Sequence, residues 1–121
     1  MLAISHRLKK KEFESVFKKG RGIRSDILYL KLLENDSDDN KIGFVVSKKV
    51  SNKAVARNKI KRRLRDIVGR KLKNKDGFLA IKRGVDIILT ARPGIEKKSF
   101  LEIKSAMEDI FSKARISEKK I

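Results

Sequence analysis

Apolar residues recur along this chain with two different periods, and the changes of period lay out its elements. Between Lys10 and Lys19, Phe13, Val16 and Phe17 share one face at helical spacing, and Gly20 and Gly22 follow, which predicts a helix that stops there. From about Arg24 to Glu34 the chain is rich in Ile, Leu and Tyr and predicts a strand; "KIGFVV", Lys41 to Val46, predicts another. The polar loop "ENDSDDN" between them makes an antiparallel hairpin the expected connection. Ala56, Ile60, Leu64, Ile67 and Val68, with Leu72 at the margin, form the stripe of a long helix from about Ala54 to Lys73. "VDIILTA", Val85 to Ala91, has a continuous apolar run that predicts a strand buried on both faces. "RPG" at Arg92 to Gly94 breaks the chain. "SFLE" then supplies a capping box, Ser99 as cap and Glu102 reaching back. The helix it starts carries Phe100, Ile103, Met107, Ile110 and Phe111 on its apolar face. The order α, β, β, α, β, α predicts an α+β fold, a two-layer sandwich of helices against a small central sheet.

The 121 residues contain no Pro/Gly/Ser-rich linker and no repeat, so a single domain spanning 1–121 is expected, with mobile ends at about 1–8 and 116–121. The absence of Cys excludes disulfides and thiolate metal sites and fits a reducing, cytoplasmic setting. No apolar run approaches membrane-spanning length, and "MLAISHRLKKKEF" lacks the apolar centre of a signal peptide. A soluble protein without a membrane partner is the expectation.

Charge narrows the partner. Thirty-three Lys and Arg stand against fifteen Asp and Glu, a net charge of +18. Self-repulsion on that scale opposes compaction, so a polyanion is the natural partner, and nucleic acid is the leading one. The cations concentrate in "RNKIKRRLR", Arg57 to Arg65, where six of nine residues are Lys or Arg. Arg57 and Lys61, Lys61 and Arg65, and Lys59 and Arg63 are like-charged pairs four residues apart, and Asp66 alone offsets them locally. A merely solvated helix face interleaves both signs. This run reads instead as a phosphate-binding helix, with Arg offering forked hydrogen bonds and Lys a point charge. Asn58 inside it either contacts a base or sugar or simply sits near the helix start. The strand-like segment before the helix argues against a helix–turn–helix reader of duplex DNA.

Single-stranded RNA needs a positive groove and aromatic stacking platforms. Phe13 and Phe17 lie four apart on a helix flanked by Lys9, Lys10, Lys11, Lys18 and Lys19, and Tyr29 is on the first strand. Spacing alone favours ordinary core packing for Phe13 and Phe17; Phe44, Phe78, Phe100 and Phe111 are assigned to the core. Catalytic chemistry is missing. The only His is His6, near the N-terminus, and Glu34, Asp36, Asp38 and Asp39 lack the spacing and Gly of a calcium loop, which leaves a solvated turn. No catalytic residue and no metal ligand is assigned.

"IGFVVSKKVSNKAVARNKIKRRLRD", Ile42 to Asp66, resembles the signature of the protein component of bacterial ribonuclease P. "RLKKKEFESVFKKG", "GVDIILTARPG" and "SFLEIKSAM" resemble that family's first helix, last strand and closing helix, so the likeness spans nearly the whole chain. The resemblance implies a noncatalytic subunit of a ribonucleoprotein endonuclease. Its partner is a catalytic RNA, which removes the 5′ leader of precursor tRNA by magnesium-dependent hydrolysis, and no protein partner is required. Mg2+ is held mainly by the RNA and substrate. It further implies a left-handed β-α-β crossover, against the usual right-handed rule. Carried over by position, Arg57, Asn58, Lys59, Lys61, Arg62 and Arg65 bind the catalytic RNA, with Lys59 standing where the family motif has Arg. Phe13, Phe17, Tyr29, Lys31, Lys48 and Lys49 line the leader-binding groove. A family aromatic falls at Lys31, and Tyr29, two residues away on the same strand face, substitutes for it. The rival expectation is a structural RNA binder, such as a ribosomal protein, without a role in tRNA processing.

Overall fold

The computed structural model describes residues 8–35, 41–73, 80–81, 84–114 and 117–118. His6, Asp36, Asp38, Asp39, Phe78 and most of both termini lie outside these residues, as do the side chains of residues 70–83. The elements are α1 (Lys10–Lys19), β1 (Arg21–Arg24), β2 (Leu28–Glu34), β3 (Lys41–Val46), α2 (Ala54–Lys73), β4 (Ala80–Ile81), β5 (Val85–Ala91), a 3-10 turn (Ile95–Lys97), α3 (Phe100–Lys113) and β6 (Ser117–Glu118). The main sheet has the order β1-β2-β5-β3; β4 and β6 form a separate antiparallel pair.

Two expectations about the strands are corrected. The stretch expected as one strand from about Arg24 to Glu34 is a hairpin, β1 against β2, closed by a turn at residues 25–27. The Ser25 hydroxyl and the Leu28 backbone bond each other across that turn. The expected β2–β3 hairpin is absent, because β5 sits between the two strands, antiparallel to β2 and parallel to β3. Strand periodicity records which face is buried, not which strand lies alongside. Burial of β5 at nearly every position follows from its central place. A parallel β3–β5 pair needs a long crossover, and α2 provides it.

Alternation along the strands splits the sheet cleanly. Leu28, Leu30 and Leu32 of β2, Ile42, Phe44 and Val46 of β3, and Ile87 and Leu89 of β5 pack with Ile60, Leu64, Ile67 and Val68 of α2 and Ile103, Met107, Ile110 and Phe111 of α3. This is the expected two-layer body, and Phe44 and Phe111 are core residues as read from the sequence. The opposite face carries a smaller cluster, in which Val16 and Leu8 bury Ile88, with Phe13, Leu33 and Val45 at its edge. α1 thus adds a partial cover to the second face.

Helix ends follow their local chemistry. Glu12 accepts from the Lys9 backbone N–H at 2.7 Å, which satisfies one orphan donor at the start of α1. Ser99 and Glu102 form the expected reciprocal capping box of α3. At the other end of α3, Arg21 of β1 donates to the Ala114 carbonyl at 2.7 Å, a cation at the negative helix terminus. Gly94, in the break after β5, has φ 105°, a left-handed conformation suited to glycine.

Candidate nucleic-acid interface

Strand register places three transverse rows on the sheet face beneath α1. One row is Leu33, Asp86 and Lys41; the next is Gly22, Lys31, Ile88 and Gly43; the last is Arg24, Tyr29, Thr90 and Val45. α1 crosses the sheet over the first two. Its start is tied down by the Glu12–Lys41 ion pair, its middle by fully buried Val16. Near its end, Lys31 donates to the Phe17 carbonyl, satisfying a C-terminal acceptor with a cation. The last row stays partly open to solvent at every position. It forms the floor of a strip beside α1, at the sheet end from which the residue 47–53 connection leads to α2. Across the sheet the strip spans three inter-strand spacings, about 14 Å.

The aromatic residues line this strip. The Phe13 and Phe17 rings stack with centroids 6.4 Å apart and planes at 28°. Phe17 is 49% exposed, whereas its neighbour Val16 is buried completely. Two glycines let the tips of rings approach the sheet closely. A Cβ at Gly43 would come within 2.1 Å of the Phe13 ring, and one at Gly22 within 2.1 Å of the Tyr29 hydroxyl. Sequence reasoning missed both glycines, as well as Arg24, Thr90 and Val45 on the floor. The signal available was a glycine inside the apolar strand "KIGFVV", which marks close approach of another group. Lys31 lies in the same row as both glycines and places its ammonium 5.7 Å from the Phe17 centroid. Tyr29 and Lys31 therefore share the face expected from their spacing.

Cations continue around the end of the sheet. Lys48 and Lys49 are exposed in the turn closed by Val50 N–H donating to the Ser47 carbonyl at 3.1 Å. α2 begins directly after and has no acidic residue in its first turn, so the positive end of its dipole adds to their field. Arg57 is partly buried, and its guanidinium donates to the Ser51 carbonyl at 2.9 Å, fixing the helix start to the preceding loop. A guanidinium has five N–H donors, so this bond leaves others for a phosphate. Asn58, Lys59 and Arg62 are exposed; Lys61 and Arg65 are partly so. The structure brings Phe13, Phe17, Tyr29 and Lys31 together on one face, with Lys48 and Lys49 at the end of the strip. The α2 cations form a neighbouring surface rather than part of the aromatic cluster.

Glu12 is engaged by Lys41 and the Lys9 N–H, and Asp86 accepts from Asn35 Nδ2 at 2.7 Å. Among the described residues no three His, Cys, Asp or Glu side chains group together. Burial pushes the Asp86 carboxyl up, with Asn35 partly opposing and the Glu12 charge adding. Burial also acts to raise Glu12, but Lys41 and the Lys9 N–H outweigh it and its pKa is lowered. The Glu12–Lys41 pair fastens α1 to β3, and the Asn35–Asp86 bond ties the residue that follows β2 to β5. No helix among the described residues is long and apolar enough to cross a membrane.

Comparisons with known proteins agree with this architecture. The family model for ribonuclease P matches residues 2–115. The chain is 39% identical over 114 residues to the ribonuclease P protein component of Gluconacetobacter diazotrophicus, covering 93% of each. It is 35% identical over 116 residues to that of Alkaliphilus oremlandii, covering 96% of each. Among solved structures, the Staphylococcus aureus RNase P protein superposes with a TM-score of 0.77 at 28% identity, covering 93% of this chain and 98% of that one. The Thermotoga maritima RNase P protein gives 0.75 at 27% identity, covering 88% and 96%. The ribosomal-protein alternative is thereby set aside: the chain belongs to the ribonuclease P protein family.

Proposed function

We propose that the chain is the RNA-binding, noncatalytic subunit of ribonuclease P, holding the single-stranded 5′ leader of precursor tRNA along α1 while α2 engages the catalytic RNA. The observation that carries this reading is the stacked Phe13–Phe17 pair, exposed at Phe17, beside Lys31 and over an open sheet strip. An extended single strand offers unstacked bases and a phosphate chain. Aromatic rings with interleaved cations complement both, whereas a duplex hides its base faces. The like-charged face of α2, through Arg57, Asn58, Lys59, Lys61, Arg62 and Arg65, suits the phosphates of a large folded RNA. Phosphate neutralisation by this surface draws RNA and substrate together, and magnesium held by the RNA and substrate serves the hydrolysis that the RNA performs. With Glu12 and Asp86 bonded within the protein, no step is assigned to a protein carboxylate. The test is reconstitution. Purified protein leaves precursor tRNA uncut, and addition of the cognate RNA with magnesium gives a mature 5′ end. Accurate cleavage by the protein alone would refute the division of labour.

A further inference from the structure

The central strand of the sheet opens to solvent at one position. Every residue of β5 from Val85 to Ala91 is buried except Thr90, which stands in the floor of the strip between Tyr29 of β2 and Val45 of β3. Ile88, two residues back and about 7 Å along the strand, is already sealed by Val16 of α1. Thr90 is thus the first floor position of β5 that a strand lying beside α1 meets. Its β-branched shape suits a half-open strand, and Val45 beside it meets that need without a hydroxyl. Among the described residues the Thr90 hydroxyl has no hydrogen-bond partner, so its donor and its acceptor capacity are both free.

The other described groups of the strip recognise different chemistry. Stacking on Phe13 or Phe17 accepts any base. Arg24, Lys31, Lys48 and Lys49 are donors without acceptors and suit phosphate. Val45 is apolar, and the Tyr29 hydroxyl lies over Gly22, toward the β1 edge. A single rotatable hydroxyl cannot sort bases, because it donates or accepts as the partner requires. What it registers is whether a partner hydroxyl is present at all. The ribose 2′-OH, itself donor and acceptor, is the group by which a protein tells RNA from DNA at a given site. We propose that Thr90 is a specificity-determining residue: its hydroxyl bonds a 2′-OH of the leader and sets a preference for ribose over deoxyribose at one leader position. This inference rests on the leader-binding reading above.

The experiment uses the full chain reconstituted with the catalytic RNA, and precursor tRNAs whose leader carries a single 2′-deoxy nucleotide, moved one position at a time. The wild type is expected to lose about 2- to 10-fold in affinity at one position, the worth of one neutral hydrogen bond. Thr90→Val replaces only the hydroxyl by a methyl. It is expected to bind the all-ribose leader with that same loss and to be indifferent to the deoxy substitution at that position. Thr90→Ser keeps a hydroxyl and is expected to keep the preference. Should thermal unfolding show that Thr90→Val fails to fold, Thr90→Ala takes its place. A wild-type enzyme indifferent to every deoxy substitution overturns the inference. So does a Thr90→Val enzyme that keeps the wild-type preference at every position, or one that weakens ribose and deoxyribose leaders alike. A wild-type enzyme that binds precursor no better than mature tRNA overturns the leader-binding reading along with it, so the two failures are distinguishable.

Discussion

Truncating Phe17 to alanine separates a binding role from a packing role, because the structure sets different magnitudes for each. A fully buried Phe→Ala change costs about 3–5 kcal/mol. With Phe17 49% exposed, only about half of that is at stake. The ring also contributes its stacking on Phe13, about 0.5–1.5 kcal/mol, and its contact with the Lys31 ammonium, about 0.5–1 kcal/mol at an exposed site. These overlap with the burial figure rather than add to it. Alanine's better helix propensity returns roughly 0.5 kcal/mol, so a net stability loss of about 1–2 kcal/mol is expected. If a leader base stacks on the ring, its loss costs a further 1–3 kcal/mol or so of binding, about 5- to 150-fold in Kd. The assay compares reconstituted wild type and Phe17→Ala for affinity toward precursor tRNA and toward mature tRNA, alongside denaturant unfolding. The expected result is a selective loss for the precursor. The control is Val16→Ala, which removes the buried side chain of the neighbouring residue and is expected to lower stability while leaving the precursor-to-mature ratio intact. A Phe17→Ala protein that is less stable but keeps the wild-type ratio would refute the stacking role.

Other consequences follow from the same geometry. Gly43→Ala drives a methyl into the Phe13 ring and is expected to cost about 1–3 kcal/mol by overpacking; combining it with Phe13→Ala gives less than the sum of the two losses, measured by denaturant unfolding. Lys61→Ala lowers the salt slope of catalytic-RNA binding by about one unit if the ammonium meets a phosphate, and Arg57→Ala does the same while also losing about 1 kcal/mol of stability with the Ser51 bond; an unchanged slope removes either residue from the contact surface. Glu12 has a folded pKa below its unfolded one, so its contribution is complete above the unfolded value and is lost as pH falls through the folded one; Glu12→Gln is expected to flatten that acid limb in a pH series of unfolding curves. Asp86 is the reverse, with a raised folded pKa, so protonation favours the fold and stability falls as pH rises through it; Asp86→Asn, which keeps an acceptor for Asn35, is expected to hold or raise stability at neutral pH and leave reconstituted cleavage unchanged.

Much of this molecule was legible because its elements carry their own local signals. α1, α2 and β5 fall at the expected bounds. The Ser99 capping box forms as read, since both halves of that signal lie within four residues. What stayed hidden depends on contacts distant in sequence. Ile27 is buried although it lies in a turn, and the short polar stretch Arg24 to Asp26 is the local mark of the hairpin in an otherwise strand-like segment. Insertion of β5 between β2 and β3 leaves no trace in either strand's alternation. The site shows the same division. Phe13 and Phe17 were visible as a pair, but helical spacing says nothing about which ring faces water. That depends on Gly43 beneath Phe13 and on Lys31 reaching the end of α1. Arg57 was legible as a cation, while its bond to Ser51 required the fold of the connecting loop.

Crosslinking reads the position of the leader on the protein directly. Precursor tRNA carrying photoreactive nucleotides in its leader is bound to the protein together with the catalytic RNA, irradiated, and the labelled peptides are mapped. Labelling of peptides that contain Phe13, Phe17, Tyr29 or Lys31 is the expected result. Leader crosslinks confined to α3, with the α1 strip unlabelled, would contradict it.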